Sequence, residues 1–319
     1  MEELYIGVDL GGTKILAGIF DSEHHCLASD KTKTRSEEGY DAVCARIVRA
    51  VRSAAESAGI DPSKARGAGI GAPGSISSDE SHVLFAPNLD WRDAPLKADL
   101  EAQLGCLVWL GNDCNVAATG IHRLELEAKP NDMVSLFLGT GIGAGIITNG
   151  VFLTGATRAA GEVGHMVLDP DGPVCGCGTR GCFEALASRT AIFKKVKAAV
   201  KDGRKTLLMD NGGNSLTKIR SGKLRRAIED GDKLSIKVLN ETCFYTGLAI
   251  ANLCNLLNPE VVALGGGLVE QLHATMMPIV REVALERIMP GARHVRIMAT
   301  SLGDDAGITG AAILAHDHS

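Results

Sequence analysis

Residues 4–20 read LYIGVDLGGTKILAGIF, and residues 133–148 read MVSLFLGTGIGAGIIT. Each is an apolar run, a glycine-containing turn and a second apolar run, a pattern that predicts a β-hairpin. In the first, Leu4–Leu10 and Ile15–Phe20 are the strands and Gly11-Gly12 the turn. In the second, Met133–Leu138 and Gly143–Thr148 flank Gly139-Thr140-Gly141. Each hairpin opens a segment of alternating strands and helices, so the chain reads as α/β with two related domains. Residues 1–120 plus 303–319 form the smaller N-terminal α/β domain, and residues 121–302 the larger one.

Working outward, Cys26–Thr34 is a third strand. Val43, Ile47, Val51, Ala54 and Ala58 recur at helical spacing and stop at Gly59. Ala65–Gly71 is a strand running into Pro73-Gly74, Leu96–Leu104 a helix, and Leu107–Leu110 a strand that ends in Gly111-Asn112-Asp113. A helix follows from Asn115. Past the second hairpin, helices are expected over Glu184–Val200, Leu234–Leu257, Val269–Arg287 and Ala306–His316. Strands are expected over Val261–Leu264 and His294–Ala299. Residues 201–232 are polar and glycine-rich, and read as peripheral helices and loops.

The chain has 319 residues, 45% of them hydrophobic and 22% charged, as in an ordinary soluble protein. A net charge of −5 gives no sign of a nucleic-acid-binding or anionic-membrane surface, and no such partner is expected. The charge-free stretch Met133–Thr157 is too glycine-rich to span a bilayer, and Thr242–Pro259 carries Asn252, Asn255 and Asn258. The opening Met1-Glu2-Glu3 is no signal peptide, so a cytoplasmic location is expected.

Nine cysteines, an odd number, argue against a disulfide framework. Three of them lie close together in GEVGHMVLDPDGPVCGCGTRGCFE, residues 161–184. His165, Cys175, Cys177 and Cys182 are four N/S donors at a spacing that suits tetrahedral Zn²⁺. The short glycine-rich turns let three thiolates meet at one point. Glu162 and Glu184 flank the cluster, so a structural zinc would hold two carboxylates in place.

Glycine at a hairpin turn lets backbone N–H groups approach an anion. DLGGTK adds the Thr13 hydroxyl and the Lys14 cation to Gly11 and Gly12, while Asp9 suits a hydrated Mg²⁺. Gly139, Thr140 and Gly141 repeat the logic, and Gly265-Gly266-Gly267 leaves flat space for an adenosine. A single such turn is ordinary loop chemistry; three at strand ends point to a nucleoside triphosphate. No GxxxxGK[ST] and no GxGxxG before a crossover helix occurs, which excludes Walker and Rossmann sites. The choice of donor between ATP and polyphosphate stays open, with the glycine triplet favouring ATP. Asn112-Asp113, where a strand meets a helix, offers a carboxylate that can take a proton from an attacking hydroxyl. The same pair equally suits helix capping. Asn88, in a loop, adds another amide, and such groups are what polyol recognition uses.

DLGGTK, GAPG (71–74), PNLDW (87–91), GNDCNVAA (111–118), LGTGIGAGI (138–146), GEVGH and CGCGTRGCFE stand in the order seen in the ROK family of sugar kinases and sugar-responsive repressors. The resemblance runs from about Tyr5 to Ile313, and the pattern looks most like the bacterial glucokinases of that family. It implies an actin-like, ribonuclease-H-like fold with two α/β domains around a central cleft and a zinc loop. It implies ATP-dependent phosphorylation of a hexose 6-hydroxyl, glucose first. N-acetylmannosamine, N-acetylglucosamine and fructose stay open, because the family uses nearly the same motifs for all. It implies Asp113 as the base, and sugar contacts from Gly74, Asn88, Asn112, Asp113, Glu162, His165 and Glu184. It implies zinc on His165, Cys175, Cys177 and Cys182, and a homodimer or a higher homo-oligomer. One departure shows: Ile121 stands where the family usually has Glu. A ROK regulator is the rival reading, but those carry an N-terminal helix-turn-helix, and here the first strand is expected from residue 4.

Overall fold

The computed structural model describes residues 3–209, 216 and 219–319. Its contacts divide the chain into two compact units: residues 1–129, 152–160 and 304–319 in one, residues 130–151 and 161–303 in the other.

In the first unit, β1 (Tyr5–Leu10) and β2 (Lys14–Phe20) form the expected hairpin, closed by the pair Leu10 and Ile15, and β3 (Cys26–Lys33) adds to β2. Helix α1 (Tyr40–Ala58) ends at Gly59, which takes the left-handed conformation that helix C-termini favour. Strand β4 (Gly67–Ala72) follows. A small sheet not anticipated from the sequence, β5 (Ser75–Ile76), β6 (Val83–Ala86) and β7 (Trp91–Ala94), then precedes α2 (Leu96–Leu104), β8 (Val108–Asn112) and α3 (Asp113–Gly120).

The second unit carries β9 (Met133–Leu138) and β10 (Ile142–Thr148), closed by the pair Leu138 and Ile142, and then β11 (Val151–Phe152). The single helix expected over Glu184–Val200 is two: α4 (Phe183–Ala187) and α5 (Arg189–Lys201). The break is at Ser188, whose extended backbone ends one helix and whose hydroxyl caps the next by accepting from Ala191 N–H. After α6 (Ser221–Glu229) come α7 (Lys233–Leu257), β12 (Val261–Gly265), α8 (Gly267–Arg287) and β13 (Arg296–Ala299). Residues 210–215 and 217–218 of the stretch expected as peripheral helices and loops lie outside the described residues. The last helix, α9 (Asp305–His318), belongs to the first unit.

Among the described residues each unit is built on a five-stranded sheet, in the orders β3-β2-β1-β4-β8 and β11-β10-β9-β12-β13. In both, an antiparallel hairpin supplies the central strand and two parallel strands continue the sheet on its other side. This is the internal repeat that the two hairpins announce. β1 reads as continuously apolar because both of its faces are covered. Ile6, Val8 and Leu10 join Val43, Ile47 and Val51 of α1 in one core. Tyr5 meets Ile308 and Ala312 of α9 in another. Position 7, on the α9 face, must be glycine: a Cβ there would lie 1.9 Å from the Ile308 carbonyl oxygen. By the same alternation Asp9 faces α9. In the turn after α3, Ile121 is fully buried.

Candidate active site

In the first unit the Gly11–Gly12 turn is held from several sides. Gly11 N–H donates to the Lys14 carbonyl at 2.9 Å, and Thr34, fully buried, donates its hydroxyl to the Gly11 carbonyl at 2.6 Å. Asn88 lies against the turn, since a Cβ on Gly12 would come within 3.3 Å of the Asn88 Cβ. Lys14 pairs with Asp304, and Lys31 of β3 reaches the same carboxylate at 2.8 Å. Burial works against the Asp304 charge, yet hydrogen bonds from the two lysines hold its carboxyl below the ordinary value. Asp304 was not among the expected site residues. Its only local signal is a pair of aspartates before an apolar helix, which says nothing of lysines nearly 300 residues away.

Asp9 sits one residue from the end of β1, beneath Gly307 of α9, whose Cβ would come 2.9 Å from that of Asp9. Burial first, and then the negative charge of Asp113, push its carboxyl up to about 7. Such a group gives up its proton readily once a cation arrives. Asn112 is the N-cap of α3: its Oδ1 accepts from Cys114 N–H at 3.0 Å and Asn115 N–H at 3.2 Å. The capping alternative therefore holds for Asn112. Its Nδ2 donates to the carbonyl of Gly74 at 3.1 Å, fixing the turn after β4 to the start of α3. Asp113, in the first helical turn, accepts from Cys114 N–H at 2.8 Å, where the exposed N–H dipoles favour a negative charge. This unit thus collects Asp9, Gly11, Gly12, Thr13, Lys14, Gly74, Asn88, Asn112 and Asp113.

In the second unit the donor atoms of His165, Cys175, Cys177 and Cys182 all lie within 4.8 Å of one another. Cys175 Sγ stands 3.8 Å from His165 Nδ1, and Cys177 Sγ 3.7 Å from Cys182 Sγ. The loop folds back through bridges between Val167 and Cys182 and between Val174 and Arg180. Hydrogen bonds from Thr179 hold the Cys177 thiol down at about 7, whereas burial and the neighbouring thiols push Cys182 up to about 12. Three sulfurs and one imidazole nitrogen in this compass suit a tetrahedral, soft cation. With Nδ1 toward the thiols, the other ring nitrogen, Nε2, faces Glu162 at 4.0 Å.

Glu184 joins that cluster to the second glycine turn. One carboxylate oxygen lies 3.9 Å from Cys175 Sγ, and the other accepts from Ile142 N–H at 2.9 Å. Gly141 leaves the room: a Cβ there would stand 2.3 Å from Glu184 Oε2. The turn also receives α5, whose Arg189 N–H donates to the Gly139 carbonyl at 2.9 Å and whose Thr190 hydroxyl donates to the Thr140 carbonyl at 2.7 Å. Gly265, paired with Phe137, brings the glycine triplet alongside, and a Cβ on Gly266 would lie 2.7 Å from the Leu138 carbonyl oxygen. The second unit thus holds Gly139, Thr140, Gly141, Glu162, Glu184, Gly265, Gly266 and Gly267 together with the four-donor cluster of His165, Cys175, Cys177 and Cys182.

Two α/β units with a repeated sheet, a glycine turn at each hairpin and a Cys₃His cluster define a ROK-type sugar kinase fold. Residues 5–318 match the ROK family, and the chain belongs to that family. It is 35% identical over 309 residues to a glucokinase of Thermotoga maritima, covering 96% of this chain and 95% of that protein. The structure of a Streptomyces griseus ROK family glucokinase in complex with glucose and AMPPNP superposes with a TM-score of 0.86 at 34% identity. That match covers 98% of this chain and 99% of the other. A xylose repressor of Bacillus spizizenii is 27% identical over 97% of this chain but 73% of its own length. No described helix is long and apolar enough to cross a membrane.

Proposed function

We propose that this protein transfers the γ-phosphoryl group of ATP to the 6-hydroxyl of glucose. The observation that carries the reading is Asp113, set at the first turn of a helix in the unit whose glycine turn, Lys14 and Asp9 have phosphate and cation chemistry. Phosphoryl transfer asks mainly for positioning and charge neutralisation, with a carboxylate to take the proton of the attacking hydroxyl. Asp113 is that base. Gly74, Asn88, Asn112, Glu162, His165 and Glu184 contact the sugar. Of these, Asn112 has spent its oxygen on helix capping, so its contribution is its remaining N–H.

Gly11, Gly12, Thr13 and Lys14 and Gly139, Thr140 and Gly141 take the phosphates, and Gly265, Gly266 and Gly267 the adenosine. Asp9 holds Mg²⁺ through water, and that ion screens the charge of the β- and γ-phosphates. His165, Cys175, Cys177 and Cys182 hold Zn²⁺. Four protein ligands leave it no open position, so its part is to fix Glu162, Glu184 and the ring orientation of His165. The protein works in the cytoplasm as a homodimer or a higher homo-oligomer.

The test is an ADP-release assay over glucose, N-acetylmannosamine, N-acetylglucosamine, fructose and allose. Glucose should give the highest kcat/KM. Absence of ADP release with every sugar would remove the kinase reading, and a preference for another sugar would revise the substrate.

A further inference from the structure

Arg189 opens α5, directly after the Ser188 cap. Its Nη2 donates to the Thr140 hydroxyl, and its Nη1 stands 3.9 Å from the place a Cβ on Gly267 would occupy. The guanidinium therefore bridges the 139–141 turn and the first residue of α8. It is part-buried, and among the described residues no carboxylate pairs with it. Burial pushes it below the ordinary arginine value, though an arginine keeps its charge in any protein setting.

A second, independent observation lies at the same place. Ser221, the first residue of α6, is 6% exposed, and among the described residues its hydroxyl has no hydrogen-bond partner. That hydroxyl stands 4.0 Å from the same Cβ position at Gly267. A part-buried guanidinium without a carboxylate counter-charge and a buried hydroxyl without a partner each cost free energy until an anion arrives. Here they meet at the positive end of a 21-residue helix, behind Gly266 with its φ of 86°. A neutral base would leave the guanidinium uncompensated; a phosphate oxygen satisfies all three groups at once.

We propose that Arg189 and Ser221 hold the phosphate chain of the nucleotide, Arg189 as its cation in the second unit and Ser221 as a hydrogen-bond donor. The inference rests on the kinase reading and extends it to two residues that no glycine motif marks. Calorimetric titration of wild type, R189A, R189K and S221A with ADP and with adenosine separates phosphate from base. R189A should weaken ADP about 10- to 100-fold, the range of a lost charge-assisted hydrogen bond, and leave adenosine within about twofold. The KM for ATP should rise with little change in kcat or in the sugar KM. R189K should recover part of the ADP affinity, because lysine supplies the charge without the planar fork. S221A should weaken ADP a few-fold.

Equal losses for ADP and adenosine would overturn the assignment in favour of base stacking or a structural role. Unchanged ADP binding in R189A would overturn it outright. Should R189A fail to fold, R189Q keeps a donor toward Thr140, and the same comparison decides. If wild type itself bound no ADP, the kinase reading would fall with the assignment. If wild type turned over but R189A matched it, only the assignment would.

Discussion

Asp9→Asn should make the protein more stable and less active, and the stabilisation should depend on pH. The carboxyl starts from an ordinary value of 3.8 and is pushed up to about 7 in the fold, by burial and then by Asp113. A carboxyl whose folded value lies above its unfolded one holds its proton more tightly when folded. Stability then falls as pH rises from 3.8 toward about 7, and the loss is complete above that. About three pKa units at ~1.36 kcal/mol each give about 4 kcal/mol as a ceiling. Roughly half of that remains once water relaxes around a part-buried carboxylate. Asparagine has the same shape and carries no charge, so it removes the penalty. Urea unfolding of both proteins, without Mg²⁺ or nucleotide, measures the difference from the midpoints at a common m value. The variant should lead by about 2–4 kcal/mol at about pH 8, and by less at about pH 5. An offset that stayed constant with pH, or a variant less stable at about pH 8, would refute the reasoning. Turnover of the variant should fall sharply, since an amide holds hydrated Mg²⁺ poorly; a site kept at a cost to stability is a common trade.

Asp113→Asn should keep glucose binding and lose ~10²–10⁴-fold in kcat, read by calorimetry and steady-state kinetics; turnover within a few-fold of wild type would remove Asp113 as the base. Chelation, or Cys177→Ser, should release the zinc, raise the sugar KM and lower the melting temperature, and metal analysis that found no zinc in protein purified without chelator would refute the assignment. Gly141→Ala puts a methyl group 2.3 Å from Glu184 Oε2, so it must displace that carboxylate from Ile142 N–H. A destabilisation of about 1–3 kcal/mol is expected, with a raised sugar KM, and a thermal melt indistinguishable from wild type would show that Glu184 is not pinned there.

What the sequence determined by itself was local. Turn glycines between apolar runs mark hairpins at Gly11–Gly12 and 139–141, because two adjacent apolar runs broken by glycine pair most simply by turning back on each other. Helical periodicity locates α1, α7 and α8, and four soft donors spaced over residues 165–182 mark a metal cluster, since the loop between them is short enough to close on itself. The break at Ser188 escaped that reading: the run over 184–200 stays helical in pattern, and the new helix start is supported by the Ser188 cap and by the docking of Arg189 N–H and the Thr190 hydroxyl on the 139–141 turn. The small β5–β6–β7 sheet, with strands of two to four residues, is too short to show a period. The tertiary structure alone decided the pairings between distant residues: Lys14 and Lys31 with Asp304, Asn88 against Gly12, Glu184 on Ile142, and Arg189 beside Gly267. It also decided the charge state of Asp9, which the strand pattern shows as one polar residue in an apolar run. Its environment comes from α9 and Asp113, more than 100 residues further along the chain, and a pKa is set by what surrounds a group in space.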